Sequence, residues 1–171
     1  MPSNKAILFN KKFKYVFFQI NHIQTIYVCS LLFFKYIILK LNFTYSFKIK
    51  LIVEGKEFKQ FYYGSIFFNL GLLPMINSNY VDNFFGTGFL HVAPSHGLND
   101  YVHSLKFNLK SQAFLTQNSF INNFYMIGGK EFLLINKCKF YFISNLLILN
   151  NLLKKNKIII FEKYRHEYPF C

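Results

Sequence analysis

The sequence has little of what disulfide scaffolds and metal sites are made of. Its 171 residues include no Trp, 4 Pro and 3 Cys, and only 7 acidic residues against 20 basic ones. The cysteines (Cys29, Cys138 and Cys171) are far apart, and none belongs to a CxxC pair. This spacing indicates neither a disulfide framework nor a zinc site. We therefore expect reduced thiols and no bound metal.

The chain also lacks a recognisable cleavable leader and an uninterrupted membrane span. Met1–Lys5 contains no small-residue cleavage site after an apolar run. The most apolar run, Tyr15–Leu39, is interrupted by Gln19, Asn21, His22, Gln24 and Lys35, whereas a span needs about 20 mainly apolar residues. Aromatic-rich strands imitate such a span in hydropathy. We expect no membrane partner and a cytoplasmic location, in a bacterium or an organellar matrix, with a small membrane protein built on residues 15–39 as the alternative.

What the sequence has in abundance is apolar and basic side chains. The hydrophobic fraction is 53%, the aromatic fraction is 21% and the net charge is +13. A chain of this length is long enough for one domain with a real core, residues 1–171. The basic residues are all Lys except Arg165. They indicate either a surface for nucleic acid or an AT-rich coding bias, and composition alone leaves both open.

The local patterns predict a mixed α/β, β-rich fold. Short apolar runs predict strands, and the period of two in Phe47–Val53 predicts a half-buried strand. Pro74–Asn79 has loop chemistry and leads to a predicted strand at Tyr80-Val81. Helical spacing predicts helices at Asp100–Leu109 and Phe140–Leu153, whereas Leu31–Leu41 fits either state and leans helical.

One stretch, Gly86–Tyr101, concentrates the uncommon residues. It holds three of the eight glycines and one of only two aspartates. Gly86 and Gly88 flank Thr87, which allows a tight turn and a close approach of the backbone to a ligand. A short strand, Thr87–Val92, precedes a break and a helix for which Asp100 is a good N-cap. The pattern predicts that His91 and Asp100 lie near one pocket mouth.

This stretch resembles the GTGxxHxAPxHGxxDY signature of the editing domain of isoleucyl-tRNA synthetases, which are class I enzymes. The likeness extends along most of the chain, from Pro2–Ala6, which resembles the segment after the family's threonine-rich peptide, to His166–Cys171, which resembles the family's HxYPxC. The resemblance implies a barrel-like editing domain with peripheral helices. It also implies hydrolysis of mischarged valyl-tRNA for isoleucine, with that tRNA, valine and the remainder of the synthetase as partners.

The resemblance assigns roles to individual residues. Asp100 would hold the α-ammonium group of the misattached amino acid, and His91 would line the pocket and exclude a larger side chain. Gly86, Thr87 and Gly88 would supply backbone near the terminal adenosine, and water would be the nucleophile. Each position also has a plainer interpretation: Asp100 as a helix cap, His91 as a core histidine and the glycines as an ordinary turn.

Several motifs of a complete synthetase are missing from the sequence. There is no HxGH-type motif, no KMSKS-like loop and no threonine-rich peptide. We therefore expect an editing domain truncated at both ends, without the nucleotide-binding core that uses ATP and Mg²⁺, without the anticodon-binding domain and without a cofactor of its own. We expect the bare chain to aggregate and to deacylate valyl-tRNA weakly. A non-functional remnant of a synthetase gene is a further alternative.

Overall fold

The structure is a computed structural model that describes residues 3–21, 23–40, 45–59, 61–64, 72–84, 86–111, 113, 141–155, 157–158 and 161. The backbone divides into two compact units, Met1–Phe114 and Leu115–Cys171. In the second unit the described helix is α3, Tyr141–Lys154, which confirms the helix predicted at Phe140–Leu153. The predicted ends of the family likeness, Pro2 and His166–Cys171, lie outside the described residues.

The described part of the first unit is rich in strands, which confirms the predicted β-rich α/β class. Its elements in chain order are β1 (Ala6–Phe9), β2 (Lys14–Ile20), β3 (Tyr27–Ser30), α1 (Leu31–Lys40), β4 (Phe47–Glu54), a 3-10 turn (Gly55–Phe58), β5 (Tyr62–Gly64), β6 (Leu72–Asn77), β7 (Phe89–Val92) and α2 (Leu98–Lys106).

These strands form two sheets. The four-stranded sheet has the order β5-β6-β1-β7, and the three-stranded sheet has the order β3-β2-β4. β1 runs parallel to β6 and antiparallel to β7. Because parallel strands end at the same edge of a sheet, the loop after β6 and the start of β7 lie at one edge, while the end of β7 lies at the other.

Tyr15 of β2 joins the two sheets. Its ring is fully buried and contacts Phe58 and Phe89 at centroid distances of 4.9 and 4.8 Å. Its hydroxyl donates to the carbonyl of Gly88 at 2.9 Å and accepts the amide of Asn10 at 3.0 Å. A buried phenol with both hydrogen-bonding functions satisfied fixes the backbone that precedes β7.

The ambiguous segment at residues 31–41 is a helix. Phe34 and Ile37 of α1 are buried, three residues apart, against Val16, Phe18 and Ile20 of β2. The apolar run at residues 15–39 therefore contains two strands and a ten-residue helix, which argues against the membrane-protein alternative. Among the described residues, no helix has the length and apolar character to cross a bilayer.

Two predictions near β6 were wrong. Pro74 lies inside a strand rather than a loop, because it pairs with Tyr62 of β5 while the pairing of β6 with β1 begins only at Met75. A proline without an N–H is tolerated at such a position. Tyr80-Val81 is a turn and not a strand, and the hydroxyl of Ser78 accepts the Tyr80 amide at 3.2 Å.

The strand predicted at Phe47–Val53 is confirmed as β4, but its predicted half-buried alternation is wrong. Ile49 and Leu51 are 50% and 55% exposed. The register with β2 shifts between Phe17 and Phe18, which pair with Leu51 and Ile49 and leave Lys50 between them. Such a bulge breaks the period of two on which the prediction depended.

Candidate functional site

The candidate site lies where β7 leads into α2. Ala93, which follows β7, is fully buried, and its carbonyl accepts the amide of His96 at 2.9 Å in a tight turn. Gly97 is the N-cap of α2, with an extended backbone and no capping side chain. This turn returns the chain so that the first turn of α2 lies beside the end of β7.

Asp100 lies in the first turn of α2, and its carboxylate is turned back toward the strand. Oδ2 accepts the amide of the buried Ala93 at 3.1 Å. The prediction of Asp100 as N-cap was wrong, because Gly97 holds that position and α2 spans Leu98–Lys106 rather than Asp100–Leu109. The carboxylate still benefits from the positive end of the helix dipole. It is held in one orientation and remains half-buried.

Gly97 leaves room for this carboxylate. A Cβ at position 97 would lie 3.4 Å from Oδ2 of Asp100, which is the edge of ordinary contact. A larger side chain at position 97 would therefore crowd the site. The backbone conformation at Gly97, with φ −157°, is open to any residue.

Two histidines lie within electrostatic reach of Asp100. Burial lowers the pKa of His91, and the negative charge of Asp100 raises that pKa in part. Burial also lowers the pKa of His96, and the negative charge of Asp100 partly offsets this effect. A lowered pKa keeps an imidazole uncharged at neutral pH. His91 at the end of β7 and Asp100 in the first turn of α2 therefore interact electrostatically.

Asn4 fixes the end of β7. Its Oδ1 accepts the amide of Val92 at 3.1 Å, while the Lys5 amide donates to the Val92 carbonyl at 2.9 Å. Its Nδ2 donates to the hydroxyl of Tyr63 at 2.7 Å, and burial raises the pKa of Tyr63 to about 12. The sequence patterns assign no role to Asn4 or Tyr63. The one available signal was the position of Asn4 within the Pro2–Ala6 anchor.

The glycine turn lies at the other end of β7. Gly86 and Gly88 both have positive φ, at 73° and 76°. A Cβ at Gly88 would lie 2.6 Å from Cβ of Ser30, so this glycine is needed for packing as well as for conformation. Thr87 accepts the Ser30 amide at 2.7 Å through its carbonyl. From Gly88 to Ala93 the strand rises roughly 16 Å, so the turn is not adjacent to Asp100.

The described residues contain no group of three His, Cys, Asp or Glu side chains placed to hold a metal ion.

Comparison with known proteins finds relatives along the whole chain. It is 31% identical over 176 residues to the isoleucine–tRNA ligase of Buchnera aphidicola subsp. Schizaphis graminum, covering 100% of the chain and 17% of that protein. It is 31% identical to the enzyme of Mycoplasma genitalium and 28% identical to that of Prochlorococcus marinus AS9601, with 99% of the chain and 18% and 16% of those proteins covered. The chain thus spans about one sixth of these relatives. No protein-family model matches it.

Comparison with solved structures finds a similar fold. The crystal structure of GlLeuRS-CP1, a domain of a leucyl-tRNA synthetase, matches with a TM-score of 0.53. The match covers 62% of this chain and 41% of that chain at 12% identity. At this identity the likeness shows the fold alone.

Proposed function

The chain belongs to the isoleucyl-tRNA synthetase family, as a segment with the CP1 fold, and we propose that it carries out hydrolytic editing of valyl-tRNA for isoleucine. The observation that carries the proposal is the Ala93 amide bond to Oδ2 of Asp100 at 3.1 Å. It holds a half-buried carboxylate that interacts electrostatically with the half-buried His91, within the stretch that resembles the editing signature.

Editing compensates for the limited selectivity with which a binding pocket distinguishes isoleucine from valine. A pocket for isoleucine cannot strongly reject valine, because one methylene is worth about 1–3 kcal/mol, a problem for which isoleucyl-tRNA synthetases are the standard example. A second site that admits valine and excludes isoleucine by bulk removes the error after transfer. The ester linkage to the terminal ribose is then cleaved by water.

Asp100 is suited to bind the free α-ammonium group of the esterified amino acid. Its Oδ2 accepts the Ala93 amide, and we propose that Oδ1 binds the ammonium group. A carboxylate and an ammonium group form a charge-assisted hydrogen bond, roughly twice as strong as a neutral one. The amino acid would thereby be held at the end of β7.

His91 is suited to line the pocket and to select the side chain of the esterified amino acid by its size. It lies on β7 opposite Ile7 of β1, so its backbone is fixed by strand pairing. Its lowered pKa makes the uncharged ring the dominant form at neutral pH, and an uncharged ring can contact the methyl groups of valine. We assign His91 to selection by size rather than to proton transfer.

The partners we propose are tRNA for isoleucine and the remainder of a synthetase. Gly86, Thr87 and Gly88, at the start of β7, would contact the acceptor end of that tRNA. The net charge of +13 supports an interaction with the phosphate backbone. A role in translation requires access to tRNA, so we propose a cytoplasmic or organellar location.

The test places residues 1–171 in a complete isoleucyl-tRNA synthetase in place of the corresponding segment. Purified valyl-tRNA and isoleucyl-tRNA are then incubated with the chimera, and loss of each ester is followed. We expect valyl-tRNA to be deacylated faster than isoleucyl-tRNA. Equal slow loss of both esters, at the rate seen without protein, would contradict the proposal.

A further inference from the structure

A polar cavity lies where the loop after β6 meets α2. Its volume is about 420 Å³, and it is lined by Asn77, Ser78, Asn79, Tyr80, His103 and Lys106. Tyr80 also lines a neighbouring cavity of about 350 Å³ with Phe89 and Leu90. The Tyr80 side chain is 49% exposed. An exposed aromatic ring thus borders two cavities.

Hydrogen bonds hold this cluster in place. The Asn99 side chain donates to the Tyr80 hydroxyl at 2.8 Å. Nδ1 of His103 lies 2.8 Å from the Asn99 carbonyl, and a carbonyl only accepts, so Nδ1 carries the hydrogen. The rings of Tyr80 and His103 are 4.8 Å apart at 47°. The aromatic pair is therefore positioned before any ligand binds.

The chemistry of the lining fits a nucleotide. Aromatic rings stack on nucleobases of any sequence, and side-chain amides such as those of Asn77 and Asn79 match the edges of unpaired bases. Lys106 supplies a cation for a phosphate, and its ammonium group now lies 5.7 Å from the Phe107 ring. We propose that this cavity, the Tyr80 subsite, binds one nucleotide of single-stranded RNA, with the base on Tyr80 and the phosphate on Lys106.

The helix α2 connects this subsite to the proposed editing site. His103 follows Asp100 by three residues, a rise of about 4.5 Å along the helix axis. Residues with this spacing are neighbours on a helix surface. A single-stranded acceptor end bound at Asp100 could therefore extend along α2 to Tyr80. This inference rests on the proposed function, because it takes tRNA as the RNA partner.

The experiment measures binding of a fluorescently labelled single-stranded RNA ending in CCA to the 171-residue chain by anisotropy. Tyr80→Ala removes the ring, and Tyr80→Phe keeps the ring but removes the hydroxyl bonded by Asn99. Lys106→Gln removes the proposed phosphate contact. Lys48→Gln is the matched control, because it removes the same charge from the exposed β4 strand of the other sheet.

We expect Tyr80→Ala to raise Kd by about 5- to 150-fold, the range found when a stacking aromatic is removed. Tyr80→Phe should bind within about twofold of the unmodified chain, which would separate stacking from structural support. Lys106→Gln should reduce the salt dependence of binding by about one ion, and more than Lys48→Gln does. Unchanged affinity for Tyr80→Ala, or equal losses for Tyr80→Phe and Tyr80→Ala, would overturn the subsite.

The subsite and the editing function can fail separately. An Asp100→Asn chain should bind the same RNA as the unmodified chain, because the subsite does not include that carboxylate. RNA binding that depends on Tyr80, together with a chimeric synthetase that does not deacylate valyl-tRNA, would overturn the editing function alone. Deacylation with no dependence of RNA binding on Tyr80 would overturn the subsite alone.

Discussion

Replacing Asp100 by Asn separates the charge of this side chain from its structural hydrogen bond. The asparagine carbonyl can still accept the Ala93 amide that now lies 3.1 Å from Oδ2. The substitution removes the negative charge that would bind an α-ammonium group. Asp100→Ala removes both, so the two variants together distinguish a binding role from a supporting one.

The expected losses of deacylation activity and of folding stability differ between the two substitutions. A hydrogen bond to a charged group contributes about 1.5–3 kcal/mol, so Asp100→Asn should lower kcat/KM for deacylation by about 10- to 150-fold. Its cost in folding stability should be about 0.3–1 kcal/mol, from the lost interaction with the helix dipole. Asp100→Ala should cost at least about 2 kcal/mol in transition-state binding. It should also cost about 1–3 kcal/mol in stability, because the amide of the fully buried Ala93 loses its acceptor.

The assay uses the chimeric synthetase with each substitution. Deacylation of valyl-tRNA gives kcat/KM, and isoleucine-dependent exchange of pyrophosphate reports whether the rest of the enzyme is intact. Urea unfolding of the 171-residue chain gives the stability of each variant. We expect activation of isoleucine to be unchanged in both variants.

One pattern of results would contradict the assignment of Asp100 to the ammonium group. If Asp100→Asn deacylates valyl-tRNA at the unmodified rate while Asp100→Ala does not, the carboxylate only supports the Ala93 turn. Asp100 would then be a structural residue, and the α-ammonium group would need another partner.

Three further predictions concern stability and reactivity. Gly88→Ala should destabilise the chain by more than Gly86→Ala in urea unfolding. Both glycines have positive φ, which costs an alanine roughly 1–2 kcal/mol. Only at Gly88 would a Cβ also lie 2.6 Å from Cβ of Ser30. The pKa of His91 is lowered in the folded state, so His91 is protonated first in the unfolded chain as the pH falls. The stability that uncharged His91 contributes above about pH 6.5 should therefore be lost as the pH falls through the folded pKa. His91→Gln should reduce this loss in urea titrations at about pH 7.5 and about pH 5, and an unchanged loss would assign it to other groups. Burial raises the pKa of Cys29 to about 12, so its thiol should react slowly with an alkylating reagent at about pH 8. Peptide mapping should find Cys29 unmodified in the native chain and modified in urea. Rapid labelling of the native chain would contradict its burial.

The sequence alone determined the class of fold, and it singled out the stretch that holds the candidate site. The apolar run at 6–9 predicts a strand because a strand that faces a core shows its pattern within a few residues. The pairing of His91 with Asp100 also follows from sequence, because only a short turn with glycine and proline separates strand from helix. The resemblance to the editing signature added the roles of these two residues.

Tertiary structure decided what depends on distant partners. The N-cap of α2 falls on Gly97 rather than Asp100 because the Asp100 carboxylate is bonded to Ala93, seven residues earlier, in a turn whose path the sequence does not specify. Pro74 lies within a strand because β1, which is far away in sequence, begins to pair only at the next residue. The Tyr80 subsite joins residues of a loop and a helix that no local pattern connects. Local periodicity records which side of an element is buried, whereas hydrogen bonds between distant segments depend on how those elements pack.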